Sequence, residues 1–366
     1  MRIKLVDLEK QTMAIQNEVW PRIRELVRNS DFIGGKHLIP FEQAFASYIG
    51  SPFFSGVANG TTALEIALRA AGVKPQDEVI TVSHTFFATV EAILNLGAKP
   101  IFVDVDEKSG LMDTELVGEL ITSNTKAILP VHLYGHPVQM DTLLDLCREF
   151  DLKLIEDTSQ AHGATYKGKA VGTFGDFGTF SFYPGKNLGA WGDAGGISTG
   201  NETNYSLVNK LRDHGRLSKY EHDIIGTNGR MDPIQSIVLE EKIKHLSNWN
   251  SRRKDIAKRY EDSLQTKGIK VVKPLDSSGS VWHLFVVEIS NRDEAQKALQ
   301  ERGIETGIHY PLPLHLQPAL RESYSKLTLP KTEKLSKRII SLPIHGLMED
   351  NEVEYVISNF LEVATS

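Results

Sequence analysis

The sequence predicts an α/β fold: a large, mostly parallel mixed sheet domain followed by a smaller C-terminal α+β domain. Two observations carry this. Between residues 53 and 157, short apolar runs alternate with stretches whose apolar residues fall at helical spacing. Strands alternating with helices build a parallel sheet covered on both faces, with right-handed connections. After Asp157 that rhythm breaks, a long helical stretch follows, and the rest of the chain mixes strand and helix.

The elements follow in order. Residues 1 to about 50 read as an arm of mixed helix and loop. FFSGVA (53–58) is a predicted strand and TTALEIALRAAG (61–72) a helix. EVITV (78–82), PIFVDVD (100–106), KAILPVHLYG (126–135) and LKLIED (152–157) are further strands. The segments 88–97, 114–121 and 140–150 lie between them and read as helices. GTFSFYP (178–184) and GGISTG (195–200) are short strands flanking a glycine-rich loop. A helical stretch from about Asp232 to residue 264, with room for a break, links the two domains, divided here as 1–245 and 246–366. In the second domain VWHLFVVEI (281–289) reads as a strand, 292–303 as a helix and 352–364 as the last helix.

Composition narrows the function. The 366 residues are 40% hydrophobic and 24% charged, ordinary for a globular protein of this length. A net charge of -6 argues against a general nucleic-acid binder. The single cysteine, Cys147, cannot form an intrachain disulfide and fits a reducing cytoplasm. Its place in a helical pattern reads as a buried structural thiol. The N-terminus has charges inside its apolar stretch, unlike a signal peptide, and no apolar run approaches a membrane span. The histidines lack metal-ligand spacing. No G-x-G-x-x-G follows the first strand, and neither H-E-x-x-H nor G-x-S-x-G occurs.

The chemistry gathers around Lys186, in the loop FYPGKNLGAWGDAGG. Gly185, Gly189 and Gly192 permit tight turns there. Apolar and small neighbours predict a desolvated amine of lowered pKa, suited to a Schiff base. About thirty residues upstream, Asp157 ends a strand, where open α/β sheets place ligands. A lysine in a tight loop and an acid at a strand end can together hold pyridoxal 5'-phosphate, with the carboxylate keeping the pyridine nitrogen protonated. Gln160, three residues on, can bond the ring's phenolic oxygen.

Asn59, Gly60, Thr61 and Thr62 sit between a strand and a helix, where glycine and free amides favour a phosphate. Taken alone, Asn-Gly-Thr is more often a helix cap. Ser181 adds a hydroxyl close to Lys186 in sequence. Phe86, after the strand EVITV, could stack on the ring or simply be core.

The run EDTSQAHGATYKGKAVGTFGDFGTFSFYPGKNLGAWGDAGGI resembles the DegT/DnrJ/EryC1/StrS aminotransferases, pyridoxal-phosphate sugar aminotransferases of fold type I. The resemblance extends through NGTTAL, DEVITVSHTFFATVEAI, PVHLYG, TNGRMDPIQSIVLEEKI, GIETGIHYPLPLHLQPA and SLPIHGLM. It implies that Lys186 carries the cofactor, Asp157 pairs with the pyridine nitrogen and Gln160 with the ring hydroxyl. Gly60, Thr61 and Ser181 would hold the phosphate, and Phe86 would stack on the ring. It also implies a homodimer with shared sites, in which Asn228 reaches a phosphate across the interface. Arg230 is a weaker candidate beside it. Tyr183, His309 and Tyr310 would line the sugar-nucleotide side.

The implied reaction moves an amino group from L-glutamate to a keto-sugar nucleotide, in deoxyamino-sugar biosynthesis that serves lipopolysaccharide or other glycans. A dTDP-3-keto-6-deoxyhexose, giving a dTDP-3-amino-3,6-dideoxyhexose, is the favoured substrate. A C4 aminotransferase on a dTDP-, UDP- or GDP-4-keto-6-deoxy sugar is the alternative. A non-catalytic regulator on the same fold is the reading from another class.

Overall fold

The computed structural model describes residues 1–276 and 278–365. Seven strands form the large sheet: β1 (Phe53–Val57), β2 (Glu78–Val82), β3 (Lys99–Val103), β4 (Thr125–Ile128), β5 (Lys153–Asp157), β6 (Phe177–Ser181) and β7 (Gly195–Thr199). Their order across the sheet is β1-β7-β6-β5-β4-β2-β3. β7 pairs antiparallel with both neighbours, and the other pairings are parallel. The sheet is therefore mostly parallel and mixed.

Its strands are apolar on both faces because helices cover both. Val79, Ile80, Ile128 and Ile155 are sealed from solvent. Leu64, Ala67 and Leu68 from the helix Gly60–Ala70 pack in the same core, as do Leu143 and Cys147 from Met140–Phe150. Each large side chain buried there contributes about 1.5–3 kcal/mol. Cys147 is a core thiol, and burial pushes its pKa up to about 12.

Three expectations change in detail. Residues 114–121 form two 3-10 turns, Thr114–Leu116 and Gly118–Leu120, rather than a helix. Gly118 in mid-segment costs a helix about 1 kcal/mol. The linking helix has no break: Pro233–Gln265 runs as one helix of 33 residues, opened by proline in its first turn. The strand expected over 281–289 narrows to Phe285–Glu288. Trp282 takes a left-handed φ of 45°, which ends the extended run. The Val281 and Leu284 amides instead bond the carbonyls of Gly135 and Tyr134 in the large domain.

A second antiparallel sheet has the order β8 (Lys270–Val271), β9 (Phe285–Glu288), β10 (Ile339–Leu342). The helices Arg292–Glu301 and Asp350–Thr365 cover it. The N-terminal arm holds three helices, Leu8–Met13, Gln16–Asn29 and Gly35–Ile49. Its first residues do not stay with the arm: Ile3 bridges to Ile304 and packs in the second core.

Candidate active site

The carboxyl ends of β1, β2, β5 and β6 open onto one cavity of ≈ 860 Å³. This is where a sheet of this kind presents ligands. Lys186 enters it from the loop after β6. The loop is a compact turn: the Lys186 amide donates to the Tyr183 carbonyl (2.9 Å), and that of Ala190 to Phe182 (2.8 Å).

Of its three glycines, none takes a positive φ. Gly189 is required by space, since a Cβ would lie 2.2 Å from the Pro184 oxygen. At Gly185 the nearest atom would be 3.9 Å away, so that position needs no glycine. Lys242, buried in the linking helix, donates to the Gly189 carbonyl (2.7 Å) and to Gln11 (3.1 Å). The reactive loop is thus held from below by the arm and the long helix.

Lys186 is half-buried as a residue, with its amine in the cavity. Desolvation lowers its pKa to about 8, and the Asp157 carboxylate offsets part of that drop. A useful fraction of the amine is therefore neutral near physiological pH.

Asp157 ends β5 and is buried. Its Oδ2 accepts from the Thr89 hydroxyl (3.0 Å) and its Oδ1 from the Ser159 amide (3.1 Å). Thr89 is itself within 3.1 Å of the Thr85 hydroxyl. The carboxylate is thus held in place by two hydrogen bonds. Gln160 is also buried, with Oε1 accepting from the Tyr134 amide (2.7 Å) and Nε2 donating to the Tyr310 hydroxyl (3.2 Å).

At the other end stands the helix Gly60–Ala70. Asn59 caps it, accepting from the Thr62 amide at 2.8 Å. The first-turn amides of Gly60 and Thr61 have no intrahelical partner and face the cavity with the helix's positive end. Ser181 is brought directly against Gly60: a Cβ there would stand 2.7 Å from the Ser181 Cβ. Two segments more than a hundred residues apart so make one corner of a kind suited to an anion.

Phe86 lines the cavity with 58% of its surface exposed, its ring 6.0 Å from that of Tyr310. It is not a core residue. Tyr183 is exposed at the rim. His309 lines the wall, bonded through Nδ1 to the Ser341 hydroxyl (2.9 Å), and burial pushes its pKa down to about 4.

Asn228 is the exception among the expected residues. It is exposed and outside the cavity of its own chain, bridged to Asp213. Arg230 pairs with the Asp213 carboxylate.

Several neighbours had no sequence signal. Thr89 sits in an ordinary helical stretch, and only the fold aims its hydroxyl at Asp157. His283 reaches the cavity because Trp282 turns the chain. Asp193, in the glycine-rich loop, also lines it.

A desolvated amine with a pKa lowered to about 8, set in one cavity with a carboxyl group fixed at a strand end, is the equipment of a pyridoxal-phosphate enzyme, and the surrounding sheet is that of fold type I. The model of the DegT/DnrJ/EryC1/StrS aminotransferase family matches residues 13–361, and the chain belongs to that family. It is a pyridoxal-phosphate-dependent aminotransferase.

Two relatives and one solved structure illustrate the likeness. The pleiotropic regulatory protein of Geobacillus stearothermophilus is 39% identical over 366 residues, spanning 99% of this chain and 98% of that one. The dTDP-3-amino-3,6-dideoxy-alpha-D-galactopyranose transaminase of Aneurinibacillus thermoaerophilus is 40% identical over 355 residues, spanning 97% and 98%. The crystal structure of DesV from S. venezuelae, in complex with a ketimine intermediate, has a TM-score of 0.97 at 38% identity, covering 100% of this chain and 99% of that one.

Proposed function

We propose that this enzyme transfers an amino group from L-glutamate to a keto-sugar nucleotide. The favoured substrate is a dTDP-linked 3-keto-6-deoxyhexose, converted to the dTDP-3-amino-3,6-dideoxyhexose. One observation supports the reading above others: a single cavity joins an anion corner, a desolvated lysine, a fixed carboxylate and a wall of aromatic and imidazole groups. The Aneurinibacillus relative, named for such a 3-amino product, supports the choice of sugar position.

Pyridoxal phosphate fits these residues. At Gly60 the backbone lies so close to Ser181 that a side chain would not fit, which keeps the first helical amides open to a phosphate. When bound, the cofactor supplies the electron sink for breaking the donor's α C–H bond.

The chain's own residues do the rest. The Gly60 and Thr61 amides and the Ser181 hydroxyl hold the phosphate. Asp157, held by Thr89 and Ser159, pairs with the pyridine nitrogen and favours its protonated form. Gln160 Nε2 donates to the ring's phenolic oxygen, and Phe86 covers one ring face. Lys186 would anchor the cofactor, and its freed amine would take the proton from the donor's α-carbon and deliver it to the former aldehyde carbon. A pKa near 8 suits an amine that must both take and give a proton. Glutamate leaves as 2-oxoglutarate, and the keto sugar's C=O becomes CH–NH2.

Tyr183, His309 and Tyr310 face the sugar nucleotide in this reading. His309, neutral near pH 7, binds hydroxyl groups without adding charge. The protein works as a cytoplasmic homodimer, with Asn228 serving the partner's site. A division of the chain near residue 245 is supported by the linking helix, which packs with the large domain at Leu246 and in the second core from Ile256.

The test is a panel of 3-keto and 4-keto dTDP-, UDP- and GDP-sugars with glutamate, products being assigned by NMR. Turnover of a 3-keto dTDP sugar is expected. Turnover of a 4-keto sugar alone would transfer the reading to the C4 reaction. No 2-oxoglutarate from any substrate would sink it.

A further inference from the structure

Tyr134 does not line the cavity, yet its contacts tie together three residues that do. It is sealed from solvent and takes a left-handed φ of 62°, a conformation that disfavours any residue bearing a Cβ. Its main-chain amide donates to Gln160 Oε1 at 2.7 Å. Gln160 Nε2 donates to the Tyr310 hydroxyl at 3.2 Å. Tyr310 follows His309, and the His309 carbonyl accepts from the Tyr134 hydroxyl. These three hydrogen bonds and the His309–Tyr310 peptide link close a ring that begins and ends at Tyr134.

The donors in this ring are determined. An amide N–H meets Gln160, so the atom it meets is the amide oxygen, and Nε2 must face Tyr310 and the cavity. A carbonyl takes the Tyr134 proton, so His84 Nε2 must donate in its 2.6 Å bond to the same phenol oxygen. His84 is buried, and desolvation holds its pKa at about 4, so it donates as a neutral imidazole. His84 lies two residues before Phe86, on the loop that carries the exposed ring.

We propose that Tyr134 is a positioning residue that orients Gln160 through its main chain and fixes the His309–Tyr310 segment through its hydroxyl. The cofactor side and the substrate side of the cavity then share one hydrogen-bonded frame. The inference rests on the reading of Gln160, His309 and Tyr310 given above, and it assigns to Tyr134 a task separate from binding or chemistry.

Tyr134→Phe separates the two halves, because it removes the hydroxyl and keeps the amide. Hydrogen exchange of the holoenzyme, followed by mass spectrometry, should quicken by about fivefold or more in the peptide covering 305–312, the effect of one lost buried bond. The peptide covering 153–161 should stay within about twofold, and the cofactor's visible band should keep its titration midpoint. With an accepted sugar nucleotide, KM should rise by about fivefold while the glutamate half-reaction stays within about twofold.

Unchanged exchange at 305–312, or a uniform rise along the whole chain, overturns the proposal. The exchange measurement needs no substrate, so it stands or falls apart from the choice of sugar. Should the phenylalanine variant not fold, His84→Leu and His84→Gln carry the test. Glutamine keeps a donor for the Tyr134 oxygen and leucine does not, so only leucine should quicken exchange at 305–312. Equal behaviour of the two would sink the idea.

Discussion

Gly60 and Ser181 meet with no space between them: a Cβ on Gly60 would lie 2.7 Å from the Ser181 Cβ and 3.2 Å from its hydroxyl oxygen. The contact joins the start of one helix to the end of β6, and the proposed phosphate corner depends on that closeness. Gly60→Ala must push the two apart. Cofactor affinity should fall by about tenfold or more, equivalent to ~1.4 kcal/mol, in a titration of the apoprotein followed by absorbance. Gly185→Ala is the control, because its added methyl would meet nothing closer than the Tyr183 ring at 3.9 Å. Equal losses in both variants would mean that the Gly60 approach has no special part in phosphate binding.

Lys186 gives a prediction in pH. Only its neutral amine can attack an aldehyde, and its pKa is lowered to about 8. Below that value the neutral fraction falls about tenfold per pH unit. The rate constant for capture of pyridoxal phosphate by the apoprotein should follow, rising to a plateau above about pH 8. A rise that continues to pH 10 would mean the amine is solvated, contrary to its burial. Lys186→Ala should still bind the cofactor, without the visible band of the lysine-bonded form and with negligible turnover.

The two lysines differ in how they could be recognised. Lys186 stands in a loop whose glycines and aromatic residues are unusual, so its chemistry was legible beside Asp157 and the NGTT turn. All seven strands of the large sheet were legible as well, since each is a short apolar run bounded by turn residues. Lys242 sits in a long amphipathic helix and reads as an ordinary surface lysine. Nothing local says that it faces inward onto the Gly189 carbonyl. Tyr134 and Thr89 are similar: their partners are 26 and 68 residues away, and only the folded sheet brings them together.

Lys242 also titrates in a predictable direction. It is buried among neutral partners, and desolvation lowers its pKa from 10.5 to about 8. Between those values the unfolded chain binds more protons than the folded one at this site. Its contribution to stability therefore rises with pH across that window, and below about pH 8 its charge is a standing cost. Lys242→Met lacks the effect, and all other titrations are shared. The stability of wild type relative to the variant should climb from pH 8 to 10.5, by on the order of 3 kcal/mol at most. Urea denaturation at both ends of the window measures it, and a difference independent of pH would refute the burial argument.

Asn228 offers the most direct test of a shared site. In its own chain it is exposed and stays outside the cavity, although Lys186 and Asp157 lie within it. If Asn228 serves a partner's phosphate corner, Lys186→Ala and Asn228→Ala damage different halves of one composite site. Chains of the two variants, unfolded together and refolded at equal concentration, form mixed dimers in half of the assemblies. In a mixed dimer one site joins an intact Lys186 to an intact Asn228, and the other site has neither. Activity should then recover to about a quarter of wild type, although each variant alone is impaired. The lysine variant must be inactive and the asparagine variant weak in cofactor binding for the arithmetic to hold, and both are measurable beforehand. Recovery no greater than the average of the two parents would place Asn228 outside the partner's site and leave its exposed position at the Asp213 bridge as a local structural feature.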